Sequence, residues 1–160
     1  MMKIKNVPKL VYSIVICQLA GVIGSFFTFP SISTWYAALE KPSFNPPNWI
    51  FSPVWITLFI LMGVSLYLVW SQGTKTKYVK IALTLFGIQL SLNILWSIIF
   101  FGLKSPFFAF IEIAILWVAI SLTIFKFSKI SKTAAYLLIP YILWVSFAAV
   151  LNFSIWVINL

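Results

Sequence analysis

Five apolar stretches, at residues 10–29, 50–70, 79–101, 107–125 and 134–158, dominate this chain of 160 residues. Each supplies the roughly 20 residues that a helix needs to cross a hydrocarbon core of about 30 Å. Only 8% of the residues are charged and 62% are hydrophobic, against about 25% charged in soluble domains. The chain is therefore expected to be an all-α polytopic membrane protein, a single bundle of five transmembrane helices over residues 1–160.

All eleven basic residues are lysines, and their positions test the count of spans, because cytoplasmic loops favour positive charge. Lys3, Lys5 and Lys9 precede the first stretch, Lys75, Lys77 and Lys80 separate the second from the third, and Lys126, Lys129 and Lys132 separate the fourth from the fifth. Those nine fall on one side, and only Lys41 and Lys104 fall on the other, with Glu40 offsetting Lys41. The N-terminus is thus expected in the cytoplasm and the C-terminus outside. The net charge of +9 hugs helix ends, which suits anionic lipid headgroups and gives no nucleic-acid surface. A cleaved signal peptide is not expected, since the first apolar run is about twice the usual length and bulky Phe26, Phe27 and Phe29 replace a small-residue cleavage site.

Local chemistry suggests the boundaries. Pro30 is expected just after the first helix, Ser52-Pro53 and Ser105-Pro106 read as N-cap and first-turn pairs for the second and fourth, and Thr133 as a cap for the fifth. Pro140 is expected to kink the fifth helix beside Trp144. The short turn from Gly102 to Ser105 makes the third and fourth helices antiparallel neighbours.

Between the first two spans, residues 35–55 hold three tryptophans, a tyrosine, two phenylalanines and four prolines. The prolines fix their own φ and push their predecessors toward extended backbone, so most of this loop is expected to be stiff and non-helical. Trp35 and Tyr36 fit either an interfacial aromatic belt or a cap over a site. Trp49 and Trp55, six residues apart across a proline, are better placed to line a cavity.

The residue inventory excludes most catalysis. There is no histidine, one cysteine (Cys17) and two acids (Glu40 and Glu112). No Ser-His-Asp or Cys-His site, no Cys/His metal cluster and no intramolecular disulfide can be built, and no metal or resident cofactor is expected. Glu112, inside the fourth span, is either a neutral or hydrogen-bonded acid facing the bundle or one station of a proton path; no second intramembrane acid is present to continue such a path.

Polar and aromatic residues inside the spans fall into stripes. Gln89, Asn93, Trp96 and Phe100 share one face of the third helix, and Tyr141, Trp144, Ala148 and Asn152 repeat that spacing on the fifth. Such faces form either the wall of a pocket for a large, flat, mostly apolar ligand or interhelical contacts. Small residues at Cys17, Gly21, Ser25, Gly87 and Ser91 suit close helix contact within the chain or in a homodimer.

With these blocks in order, the chain resembles the TspO/MBR family of bacterial tryptophan-rich sensory proteins and the mitochondrial translocator protein. The resemblance is carried by Trp35-Tyr36, Lys41-Pro42, Pro46-Pro47, Trp49 and Pro53-Val54-Trp55, then Gln89-Leu90, Asn93, Trp96-Ser97 and Phe100-Phe101-Gly102, and finally Pro140-Tyr141, Trp144, Phe147-Ala148 and Leu151-Asn152. It implies a usually dimeric five-helix bundle that binds porphyrins and benzodiazepine-site ligands under a lid at residues 30–48. Carried over by motif, the ligand-binding set is Trp49, Trp55, Asn93, Trp96, Phe100, Trp144, Ala148 and Leu151, with Tyr36 and Pro46 in the lid. The resemblance further implies a receptor or sensor; alternatively a light- and oxygen-dependent protoporphyrin-degrading activity using Trp49 and Trp144; and, third, a tetrapyrrole transporter. Two departures stand out. Phe44 replaces a common tryptophan, and after Leu151-Asn152 the chain has Phe153 for a tyrosine and no later Lys or Arg, which argues against cholesterol recognition. The missing cholesterol pattern and the use of lysine throughout favour a bacterial plasma membrane.

Overall fold

The computed structural model describes residues 6–160; the expectations for Lys3 and Lys5 lie outside the described residues. Helix α1 runs Val7–Ile32, the short α2 Trp35–Ala38, α3 Asn48–Trp70, α4 Lys77–Ser97, α5 Pro106–Ser128, α6 Lys132–Leu137 and α7 Ile139–Ile158, and a π-helical turn Ile98–Gly102 extends α4. With α6 and α7 forming one broken span, five helical spans among the described residues are long and apolar enough to cross a membrane.

The helix ends follow the chemistry of their caps, though not always at the expected residues. Asn6 accepts from the Lys9 backbone N–H at 3.0 Å and starts α1. Pro30 does not end that helix; it lies inside it, where its missing N–H leaves the Phe26 carbonyl without its usual helical donor. Likewise Ser52-Pro53 is not a cap, because α3 begins at Asn48 and carries Pro53 within it. Ser105 does occupy the N-cap position of α5 with Pro106 following, although its hydroxyl makes no capping bond. Ser131, not Thr133, caps α6, accepting from the Ala134 N–H at 3.2 Å. The kink expected from Pro140 takes the form of a break at Leu138, just before the proline in the first turn of α7.

Packing contacts arrange the spans in a ring: α1 lies between α3 and α4, α4 packs on α5, α5 packs on α6 and α7, and α6 returns to α3. Backbone contact is closest between α1 and α3, where a Cβ on Gly63 would stand 2.5 Å from the Ile14 Cα. One end of the bundle gathers lysines: Lys9 Nζ sits 5.3 Å from the Trp70 ring centre and Lys126 Nζ 5.4 Å from that of Tyr78. Phe86 and Phe127 stack beneath that end with centroids 5.7 Å apart. At the opposite end the Ser31 hydroxyl donates to the Phe101 carbonyl at 2.9 Å, tying α1 to the π-helical turn. Lys104, in the turn from α4 to α5, has φ 53°, a left-handed conformation uncommon for a side chain with a Cβ. The outer faces are apolar too, with Val11, Ile23, Phe125 and Val150 exposed, as lipid-facing surfaces require.

Candidate functional site

The loop joining α1 to α3 closes the end of the bundle opposite the lysines; α2 supplies one helical turn, and residues 39–47 are non-helical, as expected for most of the loop. That turn buries Tyr36 to 5% exposure, with its ring 6.2 Å from Phe100 and 5.8 Å from Phe101. The Tyr36 hydroxyl donates to Asn45 Oδ1 at 3.0 Å, and Asn45 Nδ2 donates to the Pro46 carbonyl at 3.1 Å. Lys41 Nζ lies 4.8 Å from the Tyr36 ring centre and donates to the Leu39 carbonyl at 3.0 Å. Burial pushes the Tyr36 phenol above its usual value, and the Asn45 bond opposes that shift more weakly. The far side of the loop is fastened by Asn159, which accepts from the Glu40 N–H at 3.0 Å and donates to the Glu40 carbonyl at 2.9 Å.

Beneath this lid lies a cavity of about 320 Å³, within the usual range for small-molecule sites. Its walls come from α1, the lid helix α2, α3, α4 with the π-helical turn, and α7. Tyr36, Trp55, Asn93, Trp96, Phe100, Trp144, Ala148 and Leu151, all named from the sequence, stand on those walls. Two others do not. Trp49 is 73% exposed, because α3 already starts at Asn48 and the stripe that faces inward is Asn48, Phe51, Ser52, Trp55 and Phe59. Pro46 belongs to the lid through its bond from Asn45 and is absent from the cavity wall.

The aromatic walls are fixed by one another and by buried amides. Trp96 stacks on Phe100 with centroids 5.0 Å apart, Trp55 stacks on Phe59 at 5.5 Å, and Phe51 meets Trp144 edge-on at 5.9 Å. The Trp96 indole N–H donates to Asn152 Oδ1 at 3.1 Å, and Asn152 Nδ2 donates to the Pro106 carbonyl at 2.8 Å. Asn93 Nδ2 donates to the Tyr141 hydroxyl at 3.1 Å. The stripes are therefore wall and interhelical contact at once. Gln89 and Tyr141, their innermost members, are fully buried and off the main cavity wall. Among the described residues, neither polar atom of the Gln89 amide nor either oxygen of Glu112 has a hydrogen-bond partner.

Sequence reasoning missed the α1 wall, formed by Gln18, Ala20, Gly21, Gly24, Ser25 and Thr28 among others. The available signal was the run of small residues, read there as a packing surface; part of it faces a void instead. Phe101 was also missed as a wall residue. The extra residue in the π-helical turn lets it join Phe100 at the cavity.

Among the described residues, the cavity wall carries indoles, phenyl rings, amides and hydroxyls but no charged side chain. Such a surface holds a flat apolar molecule by stacking and burial, with a few hydrogen bonds for orientation. Residues 13–157 match the sequence profile of the TspO/MBR family. The chain is similar to the tryptophan-rich protein TspO of Chlorobaculum tepidum, with 46% identity over 155 residues covering 97% of this chain and 98% of that protein. It is also similar to the protein of the same name from Archaeoglobus fulgidus, with 46% identity over 154 residues, 96% and 99% of the two chains. Human translocator protein is 38% identical over 140 residues, 87% of this chain and 83% of its own.

Proposed function

The chain belongs to the TspO/MBR family of multi-pass membrane proteins, and on that premise we propose that it is a membrane receptor for a tetrapyrrole, with protoporphyrin the ligand to test. The observation that carries this reading is the uncharged, aromatic cavity under a fastened lid. Trp55, Trp96 and Trp144 supply stacking surfaces, and Asn93 and Ser97 supply polar points near them. Synthetic ligands of the benzodiazepine class suit the same walls. No acid-base pair is needed for binding, and occupancy is signalled through the lid or through a partner. The bacterial relative points to a bacterial membrane, and the lysine-rich end to a cytoplasmic N-terminus, which turns the lid outward.

A second reading is favoured by the three wall tryptophans. An indole beside an excited porphyrin is an electron donor, so light and dissolved oxygen would turn the receptor into a porphyrin-degrading protein, with the ligand supplying the photochemistry. In this reading Trp144, on the cavity wall, is the donor, while Trp49 is exposed and off that wall.

Titrating the purified protein with protoporphyrin in the dark, followed by illumination of the saturated complex, tests both. Saturable tryptophan quenching with a stable spectrum supports the receptor; loss of the porphyrin absorption with a new product band, slowed by Trp144→Phe, supports the degrading activity. Quenching that never saturates contradicts both.

A further inference from the structure

The wall between α1 and α3 opens outward. On α1, Gln18, Val22 and Ser25 form one helical stripe, and on α3 Asn48, Ser52 and Ile56 form another. All six line the cavity, and Val22 and Ile56 are 49% and 53% exposed. Side chains that border the cavity and the outside together mark the rim of a slot. Its floor is set where Gln18 Nε2 donates across the helix pair to the Ile56 carbonyl at 3.1 Å, just above the backbone contact of Ile14 with Gly63. From Asn48 to Ile56 the slot follows about 12 Å of helix, a depth that lies within one leaflet of a core about 30 Å thick.

The lid, by contrast, is held at both sides. Asn159 and Glu40 exchange two hydrogen bonds, Tyr36 is bonded to Asn45, and Phe44 meets Phe147 edge-on at 6.3 Å. Opening it would break several contacts together, whereas widening the slot would break the exposed Gln18–Ile56 amide-carbonyl bond and loosen the contact of Gly21 with the Phe59 ring. The cavity wall has no charge to draw a ligand out of water. We propose that a flat apolar ligand dissolved in the bilayer reaches the cavity sideways, between α1 and α3, while the lid stays shut. The inference rests on the tetrapyrrole reading above and narrows it to ligands that partition into lipid.

Reversible cross-links distinguish the two routes. In a Cys17→Ala background, Ser25→Cys with Ser52→Cys is stapled across the slot by a bifunctional methanethiosulfonate, and Glu40→Cys with Asn159→Cys is stapled across the lid. Protoporphyrin uptake from preloaded vesicles, and its release to empty ones, are followed by tryptophan quenching. The slot staple slows both rates by roughly tenfold or more, as closure of a gate does, and reductant restores them; the lid staple leaves both within about twofold. Ser52→Trp, which fills the slot mouth without chemistry, slows exchange in the same direction. Rates indifferent to the slot staple and to Ser52→Trp, or arrested by the lid staple, overturn the lateral route. If the unmodified protein shows no saturable quenching, the tetrapyrrole reading itself fails and the route falls with it.

Discussion

Trp96 and Asn152 are joined across the bundle: the indole N–H of α4 donates to the α7 amide oxygen at 3.1 Å, while the same amide donates to the Pro106 carbonyl at the start of α5. One side chain thus fixes a cavity wall and ties three helices. Asn152→Leu removes an acceptor and a donor together, leaving the buried indole N–H unpaired, while the Pro106 carbonyl keeps its intrahelical bond in α5. We expect a loss of about 1–3 kcal/mol in stability and, because the Trp96 ring is no longer held, porphyrin affinity weaker by about tenfold. Thermal unfolding in detergent and dark titration check the two effects separately. Asn152→Asp, which keeps the acceptor for Trp96, is expected to retain most of the affinity.

Two glycines are expected to behave oppositely. A Cβ on Gly63 meets the Ile14 backbone at 2.5 Å, whereas one on Gly87 meets nothing within 4 Å. Gly63→Ala must push α1 and α3 apart and should cost about 1–3 kcal/mol; Gly87→Ala should be neutral or stabilising by up to about 1 kcal/mol, from helix propensity. Comparative unfolding midpoints decide between this and a uniform glycine effect.

These contrasts mark what the sequence makes legible. The spans were readable because apolar length is counted directly, and the α4 and α7 stripes because Asn93, Trp96, Trp144 and Ala148 repeat at helical spacing. The placement of Trp49 was not readable. Pro53 looks like a helix start, yet α3 tolerates it one turn in, and that shift of boundary turns Trp49 outward. The α1 wall was hidden because Gly21, Gly24 and Ser25 give the same signal whether a neighbour or a void sits against them. The π-helical turn that brings Phe101 inward leaves no periodic mark at all.

Glu112 and Gln89 are buried, and among the described residues their polar side-chain atoms have no partner. Replacing such a group with an apolar one of similar shape removes a desolvation penalty. Glu112→Leu is therefore expected to raise the unfolding temperature while leaving porphyrin affinity within about twofold, since Glu112 is not on the main cavity wall. A fall in stability would show that the carboxyl has a structural partner.

Alkali should loosen the lid. The buried Tyr36 phenol titrates above its ordinary value, so its neutral form is favoured in the closed lid. That contribution is fully present below the ordinary tyrosine pKa of about 10 and is lost as pH rises through the higher folded value. Lid protection, read as proteolysis at residues 39–47, is expected to hold to about pH 10 and weaken above it. In Tyr36→Phe the Asn45 bond is gone, so protection is lower throughout and this alkaline step disappears.

The central claim is that the cavity, and not the aromatic surface, takes the porphyrin, and Ala148→Trp tests it most directly. Ala148 lines the cavity between Trp144 and Leu151, so an indole there fills the space while the exposed Trp49 is untouched. With helix content and monodispersity checked against the parent, dark titration with protoporphyrin should show saturable quenching in the parent and only weak, linear quenching in Ala148→Trp. Equal saturable quenching in both would contradict the account and place the porphyrin on the outer aromatic surface.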